Sequence, residues 1–452
     1  MKTKTVYVCN ECGAESPKWL GRCPQCGEWN TYQEERIAAG PRSEGHSPSG
    51  LTQEAKAVPL SSVESRDVER IGTSNAELDR VLGGGIVPGA LVLIGGEPGI
   101  GKSTLVLQMA MQLPRRVLYV SGEESAQQIK LRADRICRAT ADNCLVVSDT
   151  RIDTLERHID EARPDIVVVD SIQTMQTERT DSLPGSISQI RECTAVLMRI
   201  AKTRSTPIIL IGHINKDGQL AGPKVLEHMV DVVLQFEGDR NHLYRILRSI
   251  KNRFGSTNEI GIFEMMGDGL REVPNPSEML LGEYADDLSG VAIAAAMEGA
   301  RPLLIETQAL VSTAAYGTPQ RNAMGFDVRR MNMLLAVLER RAGFKIAAKD
   351  VFLNLAGGIR LADTALDLPI SAAILSSSSD MAIARGVCMA GEIGLSGELR
   401  AVARTEQRIA EAAKLGFSRI IIPSATRMAA PRADIEVCRV ARLSEAFRML
   451  FQ

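Results

Sequence analysis

The chain has 452 residues, 44% of them hydrophobic and 24% charged, which is enough for two or three domains with ample hydrophobic cores. Its formal net charge is −2, so any binding of nucleic acid must come from local basic patches rather than from a global positive field. No stretch approaches the roughly eighteen uninterrupted apolar residues of a membrane span, and no apolar signal core follows the N-terminus, so we expect a cytoplasmic protein without membrane contact.

Two pairs of cysteines near the N-terminus have the spacing of a metal site. Cys9 and Cys12 form the first pair and Cys23 and Cys26 the second, and a glycine follows each pair. Four thiolates without a histidine are typical of a closed structural zinc site. A redox dithiol would need only one such pair beside a βαβ unit. We therefore predict a zinc ribbon with four cysteine ligands over residues 1–32.

The surface of this ribbon has two possible interpretations. Lys18, Trp19, Arg22 and Trp29 could contact nucleic acid. In so small a module, however, tryptophans more often form the core.

Residues 33–57, which are rich in Gly, Ser, Pro, Glu and Arg, are predicted to be a flexible linker.

The most informative stretch is a glycine-rich loop between a predicted strand at 90–94 and a predicted helix at 104–110. The pattern G-x-x-x-x-G-K-S in this context predicts a phosphate loop, whose glycines let backbone N–H groups point at phosphate oxygens. We expect Lys102 to contact the β- and γ-phosphates of ATP and Ser103 to ligate Mg²⁺. The predicted nucleotide-binding residues are Gly96, Glu97, Pro98, Gly99, Ile100, Gly101, Lys102, Ser103 and Thr104.

Two further strands are predicted to end in carboxylates beside that loop. Glu123 and Glu124 follow the apolar run 116–122, and either could orient or deprotonate the attacking water. We assign Glu123 as the catalytic residue, with Glu124 as its neighbour or substitute. The run 164–171 is apolar, as a strand buried on both faces must be, and ends near Asp170, which we expect to hold Mg²⁺.

Two more apolar strands complete the pattern. The run 207–213 ends in His213, and this residue or Asn215 could sense the γ-phosphate, although a lone polar residue there is just as often structural. With the run 231–236, the strands alternate with helices and predict a parallel sheet wound with helices over residues 58–272.

Two loops are predicted to leave the same edge of that sheet. The segment Gln173–Gln189 contains Arg179, and a glycine-rich segment carries Lys216 and Lys224. Backbone N–H groups and lysines on loops suit contact with phosphodiesters without reading of bases. Both segments could equally be ordinary surface loops.

The phosphate loop, the two glutamates, the aspartate and the two loops together resemble a RecA-type ATPase core. The cysteine pairs ahead of this core, and a Lys-Asn-Arg-Phe-Gly segment behind it, resemble the bacterial RadA/Sms family of DNA repair and recombination proteins over essentially the whole chain. The resemblance implies a homo-hexameric ring with nucleotide between subunits, and contacts of Lys216 and Lys224 with DNA. It also implies that Lys251 and Arg253 reach the γ-phosphate of a neighbour or couple nucleotide state to DNA. The segment assigned to DNA binding or coupling is Lys251, Asn252, Arg253, Phe254 and Gly255.

A second domain, α+β in class, is predicted over residues 278–452. Segments at 350–358 and 391–398 resemble the proteolytic domain of Lon proteases, which uses a serine nucleophile and a lysine base. On that pattern the nucleophile position falls near Leu366 and the lysine position near Glu406, and Ser371 and Lys414 are out of place. The resemblance therefore implies a proteolytically inactive domain for assembly and DNA contact. Its candidate phosphate contacts are Arg301, Arg321, Arg329 and Arg330.

These features predict an ATP-dependent, helicase-type motor that uses ATP, Mg²⁺ and Zn²⁺. It would bind single-stranded and branched DNA and promote branch migration during recombinational repair, with a recombinase or replicative protein as partner. One alternative is a nucleotide-gated regulator of a recombinase filament without motor activity. The other is an ATP-dependent protease, against which the identities of Leu366 and Glu406 argue.

Overall fold

In the computed structural model the chain divides into two compact units, Met1–Val273 and Pro274–Gln452. None of the helices within the described residues combines the length and apolar character needed to cross a lipid bilayer. The structure describes residues 3–11, 13–38, 69–136, 142–180, 182–213, 225–238, 244–282, 288–314, 318–428 and 434–451.

The cysteine-rich N-terminal segment forms a small antiparallel sheet. Its strands are β1 (Thr3–Cys9), β2 (Glu15–Ser16) and β3 (Tyr32–Ala38). The central strand, β1, pairs with β3 along its whole length. The prediction of a flexible linker from residue 33 is therefore wrong for residues 33–38. Most of these residues are polar, but their backbone is paired with β1 in this sheet. Residues 39–57 of that linker lie outside the described part of the chain.

The segment that carries the phosphate loop forms a nine-stranded sheet. Its elements are α1 (Ala76–Leu82), β4 (Leu91–Gly95), α2 (Lys102–Gln112), β5 (Val117–Ser121), α3 (Ala126–Ile136), β6 (Cys144–Ser148), α4 (Leu155–Ala162), β7 (Ile166–Asp170), α5 (Ile187–Arg204), β8 (Ile208–Ile211), α6 (Val225–Met229), β9 (Val232–Glu237), β10 (Tyr244–Asn252), β11 (Ile260–Met266) and β12 (Gly269–Glu272). The strand order is β12-β11-β10-β9-β4-β8-β7-β5-β6. The strands from β9 to β6 pair in parallel, which confirms the predicted parallel sheet.

Helices cover both faces of this sheet, and alternate residues of each strand pack against them. In β4, Val92 and Ile94 belong to the core under α1, α2 and α3, whereas Leu91 and Leu93 belong to the core under α4 and α5. A strand buried on both faces has to be apolar throughout, which is why β4, β5, β7 and β8 are recognisable as apolar runs. Because parallel strands share one direction, the residues after β4, β5, β7 and β8 meet at a single edge.

The patterns in the sequence do not predict β6 or the antiparallel strands β10 to β12. The edge strand β6 is only half-buried, so its run of apolar residues is short. In β10, buried and more exposed positions alternate, and Arg245 and Arg248 interrupt the apolar pattern. These strands widen the sheet beyond β9 and carry the segment Lys251–Gly255 at the end of β10.

The second unit has a seven-stranded mixed sheet in the order β15-β16-β14-β13-β17-β20-β21. Its elements are α7 (Pro276–Leu280), β13 (Val291–Glu298), β14 (Arg301–Thr313), β15 (Arg321–Met324), α8 (Val328–Ala342), β16 (Lys349–Leu355), α9 (Asp367–Ser379), β17 (Val387–Met389), β18 (Glu392–Ile393), β19 (Leu399–Arg400), α10 (Thr405–Lys414), β20 (Arg419–Pro423), β21 (Glu436–Val440) and α11 (Leu443–Phe451). The long strand β14 lies between β13 and β16. The Asp327 carboxylate caps the first turn of α8, where it accepts from the Arg330 N–H.

Candidate nucleotide and zinc sites

The phosphate loop joins β4 to α2, and its glycines serve two different purposes. Gly99 and Gly101 have φ angles of +80° and +117°, a conformation in which a side chain is strained. Gly96 instead lies close to Phe236, because a Cβ atom added there would come within 2.9 Å of the Phe236 Cβ atom. Ile100 is buried and anchors the loop in the core. The loop follows this path because these glycines permit it.

The start of α2 is built to hold an anion. Among the described residues no side chain caps this helix, whose N-cap is Gly101. The first N–H groups of a helix have no partner within the helix, so they are available to an anion at this loop, and the helix dipole adds partial positive charge there. Ser103 and Thr104 lie in this turn and are half-buried, while residues 97–99 form the exposed tip of the loop.

Lys102 lies at the centre of the site and is 3% exposed. Its Nζ atom donates to the carbonyl oxygens of Gly96 and Glu97 at 2.8 and 2.9 Å, and lies 3.3 Å from Nδ1 of His213. Burial lowers the pKa of Lys102 to about 8, although the carboxylates of Asp170, Glu123 and Glu97 act in the opposite direction.

We expect nucleotide affinity to depend on this pKa. If the loop binds phosphate through a protonated Lys102, nucleotide affinity should fall as pH rises past about 8, approaching tenfold per pH unit. A Lys102→Arg variant keeps its charge over the whole range and should show a flat profile, whatever its absolute affinity. Equilibrium titration with a fluorescent ADP between about pH 6.5 and 9.5 measures both profiles. A flat profile for the unmodified chain would contradict this expectation.

The carboxylates after β5 and β7 lie beside this lysine, as predicted for parallel strand ends. Glu123 Oε1 accepts a hydrogen bond from Ser171 Oγ at 2.5 Å and lies 3.4 Å from His213 Nε2. His213 thus contacts both Lys102 and Glu123, one through each ring nitrogen. Asp170 is 5% exposed at the end of β7. No motif in the sequence marks Ser171, and its position directly after Asp170 is its only signal.

Glu124 points to different partners from those of Glu123. Its backbone N–H donates to Ser121 Oγ at 3.0 Å, and its carboxylate lies 2.8 Å from Nη2 of Arg132 on α3. The Tyr119 hydroxyl donates to Asp170 Oδ2 at 2.5 Å, and burial together with Asp170 raises the pKa of Tyr119, so it remains a donor. Neither Tyr119 nor Arg132 carries a signal in the sequence.

These residues suit a magnesium–nucleotide complex. Lys102 and the N–H groups of the first turn of α2 could hold the phosphates, and Ser103 and Asp170 offer hard oxygen atoms for Mg²⁺. Glu123 could accept a proton from water. The bound Mg²⁺ would neutralise charge on the phosphates, while the side chains orient the groups that react.

The N-terminal cysteines suit zinc. The Sγ atoms of Cys9 and Cys26 are 3.7 Å apart, and those of Cys9, Cys23 and Cys26 all lie within 4.8 Å of one another. Sulfurs placed about 2.3 Å from a tetrahedral zinc ion are about 3.8 Å apart, so the donor set has the right size. The fourth predicted ligand, Cys12, lies outside the described residues.

The two tryptophans of the ribbon do not form its core. Trp19 is 52% and Trp29 67% exposed, and the Arg22 guanidinium lies 5.7 Å from the centre of the Trp29 ring. The interpretation of both residues as core is therefore wrong, because the buried space of the ribbon is filled by cysteines and Tyr32. Contact of this surface with nucleic acid remains a prediction.

The ribbon is attached to the start of α5. Glu35 Oε1 accepts from the Ile187 N–H at 2.7 Å, and Oε2 accepts from Ser188 Oγ at 2.9 Å. Val6 and Val8 of β1 pack against Ile187. A carboxylate at a helix N-terminus pairs an otherwise orphaned N–H group and complements the helix dipole. The predicted linker composition gives no signal for this role of Glu35.

Replacing Glu35 with alanine is therefore expected to speed amide exchange in the first turn of α5 by about fivefold, since a helix cap contributes about 1 kcal/mol. The control is Glu34→Ala, which removes an exposed carboxylate from the neighbouring position of the same strand. Hydrogen exchange of the peptide around Ile187 measures the effect, and zinc content should stay unchanged in both variants. Equal exchange rates in the two variants would show that Glu35 does not hold the helix.

The first predicted DNA loop, residues 173–189, is tied down within the chain. The Gln189 amide donates to three of its carbonyl oxygens, at 2.9 to 3.3 Å. Arg179 lies 3.5 Å from Asp153. The described residues of the loop are therefore held by contacts with α5, to which the ribbon is also attached, and the role of the loop in DNA contact remains a prediction.

The second predicted DNA loop, with Lys216 and Lys224, lies outside the described residues. The helix that follows it, α6, is held by Lys251, whose Nζ atom donates to the carbonyl oxygens of Glu227 and Val230 at 2.6 and 2.8 Å. Lysine thus pairs the orphaned carbonyls at this helix end. Lys251 therefore makes contacts within its own chain, at the helix that follows the predicted DNA loop with Lys216 and Lys224.

The remaining residues of the Lys251–Gly255 segment form a tight turn. The side chain of Asn252 donates to Leu82 O at 3.2 Å and accepts from the Phe254 N–H at 2.9 Å. A Cβ atom at Gly255 would come within 3.1 Å of Asn252 Nδ2. Arg70 donates to Phe254 O at 2.6 Å. Asn252, Phe254 and Gly255 therefore shape the turn, which fits an indirect role better than direct contact with DNA.

Arg253 is the outward-facing member of the turn, with a side chain that is 56% exposed. Its Nη1 atom lies 3.2 Å from Oδ1 of Asp231, and the other oxygen of Asp231 accepts from Lys202 at 2.6 Å and from the Leu91 N–H at 3.0 Å. Buried Asp231 thus connects Arg253 to the start of β4, the strand that leads to the phosphate loop. No motif in the sequence marks this role of Asp231.

The C-terminal domain does not assemble a protease dyad from the residues at the predicted positions. Leu366 is fully buried, and Glu406 is an exposed residue of α10. Ser371 is buried on α9, while Lys414 is 63% exposed at the end of α10 and pairs with Glu411. A serine that acts as a nucleophile needs a base within hydrogen-bond reach.

Two of the arginines considered as phosphate contacts are engaged inside this domain. Arg301 is 6% exposed and donates to Pro274 O at 2.8 Å. Arg330 pairs with the buried carboxylate of Asp367, which raises the pKa of Arg330. The prediction of phosphate contact is therefore wrong for these two. Phosphate contact stays a prediction for half-buried Arg321 and for exposed Arg329.

Three protein-family models match separate parts of the chain. A model described as "Rubredoxin metal binding domain" matches residues 7–34, "AAA domain" matches residues 57–219, and "Subunit ChlI of Mg-chelatase" matches residues 312–426. The predicted fold class is thereby confirmed: a RecA-like P-loop core, an N-terminal zinc ribbon and an α+β C-terminal domain of the Lon-like kind.

Similar proteins cover nearly the full chain. "DNA repair protein RadA" of Bacillus subtilis (strain 168) is 51% identical over 453 residues, which span 99% of this chain and 98% of that protein. The protein of the same name from Listeria monocytogenes serovar 1/2a is 49% identical over 99% and 98% of the two chains. A solved structure, "Crystal structure of the RadB recombinase", covers 45% of this chain and 99% of that one at 23% identity, with a TM-score of 0.37. With identity of this level along its whole length, the chain belongs to the RadA family of DNA repair proteins.

Proposed function

We propose that this chain is a DNA-dependent ATPase and helicase-type motor that binds single-stranded and branched DNA and promotes branch migration in recombinational repair. The observation that carries the proposal is a cluster of side chains at one edge of the sheet: Lys102, Glu123, Asp170 and His213. In the sequence, Asp170 and His213 each come shortly before a segment that is predicted to contact DNA. Near-half identity to DNA repair proteins supports DNA as the partner.

ATP hydrolysis would use these side chains in distinct roles. Lys102 and the first turn of α2 would bind the phosphates, and Asp170 with Ser103 would hold Mg²⁺. Glu123, oriented by Ser171, would accept a proton from the attacking water. His213 contacts both Lys102 and Glu123, so loss of the γ-phosphate would change its surroundings.

The same geometry offers a route from nucleotide to DNA. His213 is the last described residue before the segment with Lys216 and Lys224, and α6 follows that segment. Lys251 holds α6, and Arg253 two residues later would reach the nucleotide of a neighbouring subunit. Hydrolysis could therefore alter both ends of a DNA-binding loop. The proposal includes a homo-hexameric ring and a recombinase or replicative protein as partner.

ATPase rates with and without single-stranded DNA test this proposal, with Lys102→Ala as the blank. We expect DNA to stimulate hydrolysis, and a forked substrate with homologous arms to be migrated only when ATP is hydrolysed. An ATPase rate that is the same with and without DNA, together with no branch migration, would instead indicate the nucleotide-gated regulator. A digest of casein is expected to show no ATP-dependent cleavage, in agreement with buried Leu366.

A further inference from the structure

Arg132 reaches the ends of β5 and β7 from α3, although no motif marks it. Its Nη2 atom lies 2.8 Å from Glu124 Oε2, 3.3 Å from Tyr119 Oη and 3.8 Å from Asp170 Oδ2. The side chain is 16% exposed, whereas Arg135 on the same helix is exposed. Charges that are partly removed from water interact more strongly than surface ion pairs do.

The direction of these contacts is informative. Both Tyr119 and Arg132 approach the same oxygen of Asp170, Oδ2, so Oδ1 is the oxygen available to a metal ion or its water shell. Glu124 meets the same guanidinium nitrogen as Asp170 does. The two carboxylates are therefore neighbours, and one positive charge lies between them.

We propose that Arg132 is a positioning residue that neutralises Glu124 and thereby limits how tightly the Asp170 site binds its divalent cation. This rests on the proposed Mg²⁺-dependent hydrolysis. Without Arg132, Glu124 is an unpaired negative charge beside the metal site, which attracts a divalent ion more strongly. With Arg132 present, Glu124 is held in an ion pair and Glu123 alone serves the attacking water. A moderate metal affinity would let Mg²⁺ leave with the product.

Binding of Mn²⁺ to the full-length chain in the presence of ADP, followed by electron paramagnetic resonance, tests the proposal without turnover. Arg132→Ala should bind Mn²⁺ about three- to tenfold more tightly, and Glu124→Gln should bind it about three- to tenfold more weakly. The double variant should return to within about twofold of the unmodified chain, because neither charge then remains. Since hydrolysis is not measured, failure here would leave the proposed ATPase untouched.

Arg135→Ala is the matched control, because it removes an exposed positive charge from the same helix, and it should not change Mn²⁺ affinity. Arg132→Lys keeps the charge and should stay within about twofold of the unmodified chain. Weaker or unchanged Mn²⁺ binding by Arg132→Ala, with normal ADP affinity in EDTA, would overturn the proposal. If that variant does not fold, tighter or unchanged Mn²⁺ binding by Glu124→Gln overturns it independently.

Discussion

Replacing Glu123 with glutamine is expected to lower the rate of ATP hydrolysis about 10²- to 10⁴-fold while ATP affinity stays within a few fold. Glutamine has the same shape, but its amide cannot accept a proton from water. The geometry supports this choice because Glu123 lies on the lysine side of the site, where Ser171 Oγ donates to it at 2.5 Å and His213 lies 3.4 Å away. Single-turnover hydrolysis, with binding measured separately, separates the chemical step from nucleotide affinity.

Glu124→Gln is the matched control for this experiment. Its carboxylate pairs with Arg132 rather than facing Lys102, so its loss should slow hydrolysis less than about tenfold at saturating Mg²⁺. The two residues are adjacent and change by the same single atom, so differences in expression or assembly should be small. A larger loss of hydrolysis rate in Glu124→Gln than in Glu123→Gln would show that Glu124, and not Glu123, serves the attacking water.

The choice between these glutamates shows where sequence patterns stop being informative. The apolar run of β5 and the residues after it could be predicted, because a strand buried on both faces must be apolar and its end must meet the phosphate loop. Which of two successive glutamates faces the loop depends on Arg132 and Ser171, and these come from α3 and the end of β7. No local spacing encodes that meeting of three elements.

The N-terminal ribbon shows a second limit. Its cysteine spacing predicts the metal because four ligands on two turns have few other uses. Its polar third strand does not look like a strand, since its pairing with β1 comes from backbone groups that every residue carries. Glu35 in that strand reaches α5, about 150 residues further along the chain, and only the fold brings the two together.

The Lys251–Gly255 segment shows a third limit of what sequence patterns can predict. The family resemblance implies a function for this segment, but the five residues make different contacts that depend on the surrounding structure. Lys251 pairs carbonyl oxygens of α6, Asn252 and Gly255 shape the turn, and Arg253 faces outwards while paired with Asp231. Asp231 itself was not predictable, because an acidic residue before an apolar strand is common.

The division of tasks within that segment leads to the second prediction, that Arg253→Ala lowers ATP hydrolysis about 10³-fold or more while binding of single-stranded DNA persists. An arginine that reaches the nucleotide of a neighbour is worth roughly 10³- to 10⁵-fold in rate. Arg253 fits this role because its side chain is 56% exposed and Asp231 orients it. The measurement is DNA-stimulated hydrolysis, with branch migration in parallel.

In the proposed ring, assemblies that mix two variants decide whether Arg253 acts across a subunit boundary. Subunits with Arg253→Ala keep an intact phosphate loop, and subunits with Lys102→Ala keep an intact arginine. If the arginine acts in trans, mixing the two inactive variants creates some complete sites, and activity should recover to a fraction set by the mixing ratio. Lys251→Ala is the contrasting case, because Lys251 contacts α6 of its own chain. The Lys251→Ala variant should lose the stimulation of ATP hydrolysis by DNA. Mixing it with Lys102→Ala should not restore that stimulation at the nucleotide sites of the Lys251→Ala subunits. Failure of Arg253→Ala to recover on mixing, in rings shown to contain both subunits, would place its action within one chain.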